Sequence, residues 1–549
     1  MRVNSGAEQV FSKMRFPRIQ IIITIIISIA LLFAVVYIEK YAFAKNERPT
    51  MQMSQSDIDS VPGIRFFLPA DENRGLKCDI YSTIFEDDEF YQYFIVPKDL
   101  DTSQMVCYAI DQYGCFLNRY VINLNGADTF DLGVRSVTMV CTSLPVLSIE
   151  IDDLSPSFSE LLASDKSVEC FGTMDLFVDK ELAHSNHWIE EIYSKDKDKN
   201  MGGSIVLRGR GNSTWDSSSK KSFTLRLEEA TYLLDLGKHK SFNLISNSQD
   251  KTLLANEVFL EMSDKAGIQF EPRTQQVTLY VNGVYQGVYM LTEKVKVRGG
   301  SIDLGKNDFL INFGEPDPEQ PLYYDTDMWM DDEMTTKPYA NIVWPEEETE
   351  EELDEKGKII QRFISSIENV DDDSYTEHMD LDSMVRYYWI QEISMNYDAD
   401  YRSAYAYYKA NTGKIYMGPV WDMDQTLGWN ASKCGASFDD PIGWKVREMS
   451  WYKPLFERKE FRDAIYDVYW NGGIRELMFD AITEFENKAD RLSTDGYYNN
   501  RMWRSDWPDL APRYGDYYED EVKGRLGFFK QRAEWIDNAM RDTEDLNNP

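Results

Sequence analysis

Two short aspartate-bearing segments flank a predicted β-hairpin. Residues 396–400 read Asn-Tyr-Asp-Ala-Asp, and residues 421–424 read Trp-Asp-Met-Asp. Between them, aromatic and β-branched runs at residues 404–409 and 414–417 surround a turn near Thr412, a pattern typical of two antiparallel strands. In such a hairpin Asp400 and Asp424 face each other at the open end, so the pairing gathers carboxylates that are distant in sequence.

Gathered carboxylates suit Mg²⁺ or Mn²⁺ and can also accept a proton from a hydroxyl group. These are the parts that phosphoryl transfer requires. The alternative is a solvated acidic hairpin base, because the chain contains 94 Asp and Glu residues.

A glycine-rich turn, Gly209-Arg210-Gly211-Asn212, precedes a strand that begins with Lys220 and Lys221. Side chains alternate between the two faces of a strand, which predicts that Lys221 shares the inward face with Phe223 and that Lys220 points to solvent. An inward lysine needs an anionic partner, either an ATP phosphate or a structural carboxylate such as Glu293.

Phosphate oxygens can also be bound by other groups near this turn. The backbone N–H groups of Gly209, Gly211 and Asn212 are candidate donors, and Arg208 and Arg210 are candidate cations. The alternative for the glycines is a tight turn between strands. For Glu293 the alternatives are an ion pair with Lys221 and a plain surface position.

Composition narrows the function classes. The chain has 549 residues, 43% of them hydrophobic, which is enough for a buried core, and a net charge of −36. That charge argues against nucleic acid and anionic membrane surfaces as partners. Only four histidines occur and no His-Glu-x-x-His is present, which disfavours zinc hydrolases and Ser-His-Asp enzymes.

The N-terminus predicts a membrane anchor. Residues 19–38 form an uncharged apolar run long enough to span a bilayer. Basic residues within 1–18 place the N-terminus in the cytoplasm and the bulk of the chain outside the cell membrane. Residues 39–62 form a polar stalk. Cleavage after Ala44, at a small-x-small site, would instead release a secreted protein.

Residues 63–142 predict a small β-sandwich-like accessory domain with five short strands. The predicted strands are residues 64–68, 90–96, 104–109, 116–122 and 135–140. Four cysteines lie here, and an exported setting permits disulfides among them. They are Cys78, Cys107, Cys115 and Cys141, and the three possible pairings stay open.

Residues 144–540 predict one large α+β domain. Its first half is rich in strands, with a helix at residues 251–266 and a hairpin at Asn282-Gly283. Residues 316–354 form an irregular, acidic, exposed insertion. The second half is mainly helical. Its predicted helices are residues 356–367, 382–395, 460–469, 474–492 and 519–540.

The ordered motifs resemble the spore coat protein H (CotH) kinase family from about residue 144 to residue 536. They are residues 208–215 with 220–223, residues 282–289 with Glu293, residues 396–398 and residues 421–424. The resemblance implies an atypical, divergent, bilobal protein-kinase-like fold. It also implies an ATP- and Mg²⁺- or Mn²⁺-dependent enzyme that phosphorylates Ser/Thr of extracytoplasmic proteins.

The resemblance assigns roles residue by residue. Asp398 takes the catalytic position, Asp422 the metal-binding position, and Lys221 the second lysine of a Lys-Lys pair. Asp424 becomes a further acid near the metal. Family members often carry Asn shortly after the catalytic Asp, where this chain has Ser403-Ala404, and Asp400 can compensate as a metal ligand.

The leading hypothesis is therefore a membrane-anchored extracytoplasmic protein kinase. A catalytically weak or inactive pseudokinase that acts as a cell-surface scaffold is the alternative, which the missing Asn favours. A glycosidase with paired carboxylates is a third class, but it leaves Lys221 and the glycine-rich turn without a role.

Overall fold

A computed structural model describes separate strands before residue 136 and most of the chain after it. The described residues are 63–67, 77–79, 83–86, 89–97, 105–110, 116–122, 129–131, 136–178, 204–211, 213–297, 302–314, 323–325, 339–345, 349–399, 402–428, 436–449, 451–503 and 517–542. The chain forms two compact units; among these residues, 120–122 belong to the first and all others to the second.

The predicted N-terminal segments 1–18, 19–38 and 39–62 lie outside the described residues. Among the helices of the described part of the chain, none combines the length and the apolar character needed to cross a membrane.

Residues before 143 contribute eight strands among the described residues. They are β1 Gly63–Phe67, β2 Lys77–Asp79, β3 Thr83–Glu86, β4 Glu89–Pro97, β5 Met105–Ile110, β6 Phe116–Ile122, β7 Thr129–Asp131 and β8 Ser136–Thr142. β2, β1 and β5 are neighbours in one sheet, and β3, β4, β8 and β7 are neighbours in another. The five predicted strands are present; the three missed ones are short.

The register of β1 places two of the four cysteines. Phe66 faces Cys78 on one neighbouring strand and Cys107 on the other. The two cysteines therefore lie on the two strands that flank β1. Cys115 lies outside the described residues, and the predicted disulfide alternatives stay predictions.

A closed barrel of seven strands follows. Its strands are β9 Val146–Ile151, β10 Glu169–Phe177, β11 Ser204–Arg210, β12 Ser222–Tyr232, β13 Lys238–Ile245, β14 Thr274–Val281 and β15 Val284–Glu293. Their order around the barrel is β10-β11-β12-β13-β15-β14-β9, and the parallel β14–β9 pair completes the closure.

Sequence alternation explains the barrel interior. On β12, Phe223, Leu225 and Leu227 are buried while Arg226 between them is exposed, as predicted. The predicted Asn282-Gly283 hairpin joins β14 to β15, and both turn residues have positive φ, as a type I′ turn requires.

The barrel contacts the strands that precede it in sequence. The Tyr280 hydroxyl, buried on β14, accepts a hydrogen bond from Ile95 N–H and donates one to Ile95 C=O, at 2.9 and 3.3 Å. Asp495 reaches the same region from a helix, where it accepts hydrogen bonds from the hydroxyls of Thr278 and Thr142.

A second sheet carries the predicted hairpin. Its strands are β16 Phe309–Gly314, β17 Tyr323–Asp325, β18 Tyr339–Trp344, β19 Ala404–Lys409 and β20 Lys414–Met417, in the order β17-β18-β16-β19-β20. The prediction of an irregular insertion at residues 316–354 is wrong in part, because β17 and β18 lie within it.

Ten α-helices occur in the described residues. They are α1 Phe158–Ala163, α2 Ser213–Ser217, α3 Ala255–Lys265, α4 Glu350–Glu368, α5 Tyr375–His378, α6 Leu381–Ser394, α7 Tyr452–Phe456, α8 Lys459–Trp470, α9 Ile474–Met502 and α10 Tyr518–Ala539. The mixed α+β class and the predicted long helices are confirmed. Helix α4 begins earlier than predicted. Thr349 and Glu352 form a capping box, so the acidic residues 350–352 make up the first turn of the helix.

A buried ion pair joins α6 to α10. Glu392 and Arg532 have no exposed side-chain surface and form a short charge-assisted hydrogen bond. The Glu392 carboxylate also accepts the N–H groups of Lys445 and Arg447, each at 2.8 Å. Arg532 donates to the carbonyl of Gly443 at 2.6 Å. One pair of charges thus holds α6, α10 and the loop at residues 443–447 together.

Arg532→Met is expected to lower the free energy of unfolding by about 3–5 kcal/mol, because it leaves the Glu392 carboxylate buried without its cation. Lys530→Met, on the same helix, removes only an exposed pair with Glu486 and should cost under about 1 kcal/mol. Urea unfolding followed by tryptophan fluorescence measures both. Equal losses in the two variants would contradict the structural role of Arg532.

Asp495 makes stability depend on pH. Burial raises the pKa of this carboxyl from 3.8 to about 6. The folded state then holds a proton that the unfolded chain releases, so stability is lost as pH rises from about 4 to about 6 and is constant above that range. Asp495→Asn should flatten this slope and add up to roughly 3 kcal/mol at pH 7. Urea midpoints at pH 4 and pH 7 test this; an Asn variant with an unchanged slope would refute it.

Candidate active site

Helix α6 delivers Asp398 to the site through a tight turn. Met395 ends the helix in the left-handed conformation, with φ 53°. The buried Asn396 side chain then donates to Gln391 Oε1 at 2.8 Å and accepts the Asp398 N–H at 3.1 Å. The Asp398 carboxylate is mostly buried, and Arg402 Nη1 lies 3.7 Å from its Oδ1. Asp398 therefore has a fixed backbone and a nearby cation.

The predicted hairpin is present, with Ala406 opposite Met417 and Lys409 opposite Lys414. After β20, one side chain of α3 and one side chain from the segment that follows α3 position the backbone of the chain. Val420 N–H donates to the buried Glu271 carboxyl, and Met423 N–H donates to Asn256 Oδ1, both at 2.7 Å. These two contacts position the aspartate-bearing segment 421–424.

The carboxylates converge at the base of the hairpin. Burial raises the pKa of Asp424 well above its usual range, and the negative charges of Asp422, Asp250 and Asp398 raise it further. Asp422, Asp250 and Asp398 therefore lie within electrostatic reach of Asp424, although no three of these described carboxyls stand at ligand spacing. Of the predicted acids, Asp398, Asp422 and Asp424 are thus brought together, while Asp400 lies outside the described residues.

Asp422 has a distinct environment. Asp422 is an exposed residue, yet the groups packed around its carboxyl desolvate it and raise its pKa. The Arg210 guanidinium and a hydrogen bond from Ser403 act in the opposite direction. Asp422 and Ser403 both have positive φ, 64° and 53°. Two facing non-glycine residues in this conformation mark a site whose backbone is constrained by its surroundings.

Ser403 and Ala404 stand where the resemblance in the sequence leads us to expect Asn. The Ser403 Oγ donates to Asp422 Oδ2 at 3.1 Å. The residue at this position therefore still contacts the predicted metal-binding aspartate, through a hydroxyl instead of an amide. No local sequence pattern predicts this contact, because it depends on the left-handed backbone conformation at Ser403.

The glycine-rich turn lies on the barrel side of the site. Gly209 allows close packing, since a Cβ there would lie 2.4 Å from the Trp215 ring. Gly211 has φ 98°, and its carbonyl accepts a hydrogen bond from Lys166 Nζ at 2.8 Å. Arg208 Nε donates to the Lys166 carbonyl instead of facing the carboxylates. Asn212 lies outside the described residues.

The predicted orientation of the two lysines is wrong. Lys220 is buried, and its Nζ donates to the carbonyls of Ser246 and Val288 at 2.7 and 2.5 Å. Lys221 is half-buried and donates to the Trp215 carbonyl. The physical reason is that β12 begins only at Ser222, so both lysines lie in the preceding turn, where strand alternation does not apply.

Glu293 does not pair with Lys221, and it is not a surface residue. Its buried carboxylate receives a hydrogen bond from Arg273 Nε at 2.7 Å, and His239 Nε2 lies 3.3 Å from its other oxygen. Both predicted alternatives for Glu293, the ion pair with Lys221 and the surface position, are therefore wrong. Glu293 belongs to a separate charged cluster on β13 and β15, apart from the gathered aspartates.

Sequence reasoning missed two site residues at the start of α3. The Asp250 carboxylate accepts the N–H groups of Thr252, Leu254 and Ala255, at 2.9 to 3.0 Å, and so caps the helix. Asn256, the second residue of α3, accepts the Met423 N–H from the aspartate segment. The Asp-Lys-Thr sequence before an apolar run signals a helix start. Nothing local shows that this helix end approaches residues 421–424.

The types of side chain at the site are those that suit a hard divalent cation. Carboxylate and hydroxyl oxygens are the ligands that Mg²⁺ and Mn²⁺ prefer, and a dication would relieve the repulsion that acts on Asp424. In the described parts of the chain, no three His, Cys, Asp or Glu side chains stand together at ligand spacing. Asp400, the third predicted ligand, lies beyond those parts.

A comparison with known protein families agrees with these observations. Residues 207–536 match the family described as CotH kinase protein. No curated protein matches the chain.

The two lysines offer a matched test of the geometry. Lys220→Met leaves the carbonyls of Ser246 and Val288 buried without their donor, so it should lower the free energy of unfolding by about 2–3 kcal/mol. Lys221→Met should cost less than about 1 kcal/mol, because Lys221 is partly solvated. Urea unfolding of both variants measures the difference, and a larger loss for Lys221→Met would contradict the assigned orientations.

Proposed function

Because the chain belongs to the CotH kinase protein family, we propose that it is an ATP-dependent protein kinase acting on Ser/Thr of surface or secreted proteins. The observation that carries this proposal is the placement of Asp398 and Asp422 at the base of one hairpin. The adjacent residues Arg402 and Ser403, just before β19, contact the carboxylates of Asp398 and Asp422 respectively. Arg210 of the glycine-rich turn approaches the same carboxylates.

The proposed fold is a divergent, bilobal protein-kinase-like domain. The seven-stranded barrel with α3 corresponds to the first lobe, and the second sheet with α4 to α10 corresponds to the second. The glycine-rich turn belongs to the barrel, while Asp398 follows α6. Nucleotide would bind where these two parts meet, as in the kinase arrangement.

Asp398 is proposed to act on the substrate hydroxyl. It orients the hydroxyl and accepts its proton while the oxygen forms a bond to the γ-phosphorus and the bond from phosphorus to the bridging oxygen of ADP breaks. Asn396 fixes the backbone of Asp398 for this task. Arg402 Nη1 lies 3.7 Å from Asp398 Oδ1 and places positive charge beside this carboxylate.

Asp422 and Asp424, with Asp400, would hold Mg²⁺ or Mn²⁺, which when bound supplies positive charge to the phosphates. Ser403 orients Asp422 through its hydrogen bond. Lys221 and the N–H groups of Gly209, Gly211 and Asn212 remain the proposed phosphate contacts. Lys220 stabilises the turn that carries Lys221, since its Nζ donates hydrogen bonds to two carbonyls.

Position in the cell and partners are also proposed. The apolar run at residues 19–38 would hold the chain in the cell membrane with its N-terminus in the cytoplasm. The site would then act on extracytoplasmic protein substrates. The net charge of −36 disfavours nucleic acid as a partner.

The full-length protein, incubated with γ-labelled ATP and Mg²⁺ or Mn²⁺, is expected to transfer label to itself or to an added Ser/Thr protein. Asp398→Asn should reduce the rate about 100-fold or more while ATP still binds. Asp422→Ala should abolish metal-dependent transfer. Asp382→Asn, an exposed acid on α6 paired with Arg386, serves as the matched control.

Label incorporation and a nucleotide-induced thermal shift distinguish the outcomes. A thermal shift without transfer would support the pseudokinase scaffold. If the protein shows no thermal shift and no transfer of label, the proposal is overturned. Glycan cleavage that is lost in Asp398→Asn would favour the glycosidase class.

A further inference from the structure

The last residue of β19 is a lysine that aromatic rings surround. Tyr407 on β19 lies opposite Tyr416 on β20, and their rings stack 5.3 Å apart. The Phe270 ring meets the Tyr407 ring edge-on, with centroids 5.1 Å apart. Lys409 follows Tyr407 by two residues and therefore lies on the same face of the strand. Its Nζ lies 5.3, 5.4 and 5.6 Å from the ring centroids of Tyr407, Tyr416 and Phe270 respectively. The three rings form an aromatic cage around one ammonium group.

The ammonium group in the cage also has a polar partner. Lys409 Nζ donates to Gln269 Oε1 at 3.2 Å, and the Tyr407 hydroxyl donates to the same oxygen at 3.3 Å. Tyr407 is buried, while Lys409, Tyr416 and Phe270 are half-buried. Because the rings exclude part of the water around the cation, the cation–π attraction is stronger than on an open surface. An alkylammonium group is the class of ligand that such a cage recognises, and here the chain itself supplies it.

The backbone of Phe270 is held in an unusual conformation. Its φ of 70° lies in the left-handed region, which is disfavoured for a bulky side chain. Such a conformation persists only where surrounding contacts fix it, and it often marks a place where the position of a side chain matters. The contacts of the Phe270 ring with Tyr407 and Lys409 supply that constraint. The cage therefore holds the backbone of the segment between α3 and β14.

The segment that supplies Phe270 also contacts the chain where it leaves the hairpin. Gly418, directly after β20, packs closely on this segment, since a Cβ there would lie 2.6 Å from Ile268 Cγ2. Glu271 then accepts the Val420 N–H at 2.7 Å. The cage thus joins the turn end of the hairpin to the same segment that fixes the start of the aspartate-bearing residues.

We propose that Phe270, Tyr407 and Tyr416 form a binding site for an alkylammonium group, and that Lys409 fills this site as an internal ligand that holds residues 418–424 in place. Lys409 is then a positioning residue for the carboxylates of that segment. The inference goes beyond the proposed function and does not depend on it, because ligand binding in the cage and the order of residues 418–424 are both measured without ATP.

Chemical rescue of the full-length protein tests the cage. Lys409→Ala empties it and should lower the melting temperature by about 2 °C. n-Butylammonium chloride, which replaces the deleted side chain, should restore most of this loss at roughly 50 mM. n-Butanol at the same concentration, with NaCl added to equal ionic strength, should not, because it fills the same volume without charge. The wild type, whose cage is filled, should not respond to either compound.

Three further variants serve as controls. Lys409→Arg keeps a cation that stacks on aromatic rings, so it should retain the wild-type melting temperature. Lys414→Ala removes the lysine opposite Lys409 in the hairpin register, and it should neither create a response to n-butylammonium nor match the loss in Lys409→Ala. Phe270→Leu, combined with Lys409→Ala, removes one ring of the cage and should weaken the rescue.

Hydrogen exchange measured by mass spectrometry tests the positioning role. In Lys409→Ala, peptides that cover residues 418–424 should exchange about tenfold faster, because the segment that holds Val420 has lost its support. n-Butylammonium should restore their protection. Peptides of β11, residues 204–210, should exchange at the wild-type rate in both conditions. A change confined to residues 418–424 distinguishes positioning from a general loss of stability.

Each result decides a distinct question. Equal effects of n-butylammonium and n-butanol on Lys409→Ala would overturn ammonium recognition by the cage. Unchanged exchange in residues 418–424, or an equal acceleration in residues 204–210, would overturn the positioning role. A wild type that transfers no label from ATP would overturn the proposed function alone, since none of these measurements uses nucleotide.

Discussion

The ion pair of Glu392 and Arg532 is the interaction on which the placement of the site depends. It lies entirely out of water, where two charges are tolerable because they pair with each other and hydrogen-bond to the surrounding backbone. Glu392 is on the last turn of α6, so the pair holds the helix end from which the chain turns toward Asp398. Arg532 draws α10 and the loop at residues 441–447 to the same point. The position of the predicted base is thus determined by charges that never contact a substrate.

Elements with a local signal could be predicted from the sequence. The hairpin of β19 and β20 followed from its aromatic runs and turn residues, and the barrel face of β12 followed from its alternation. Both signals arise because a strand exposes one face to the core and a turn requires particular backbone angles. The family resemblance, carried by ordered motifs, is confirmed by the match over residues 207–536.

The site required information that no short window contains. Lys220 and Lys221 were assigned to the wrong environments because one boundary, at Ser222, decides whether alternation applies. Asp250 and Asn256 join the aspartate cluster only through the packing of α3 against residues 420–424. The contact of Ser403 with Asp422 depends on two left-handed residues that face each other. Such contacts depend on tertiary distance, which sequence spacing does not encode.

The closure of the barrel determines where the shortest fragment of this protein that can still fold must begin. The family match begins at residue 207, but β9 and β10 precede it, and β9 forms the parallel pair that completes the ring. A fragment cut at that boundary would leave β11 and β14 as open edges beside an uncovered apolar interior. Unpaired strand edges recruit other chains, so such a fragment would aggregate instead of folding. Fragments for expression should therefore begin before Val146.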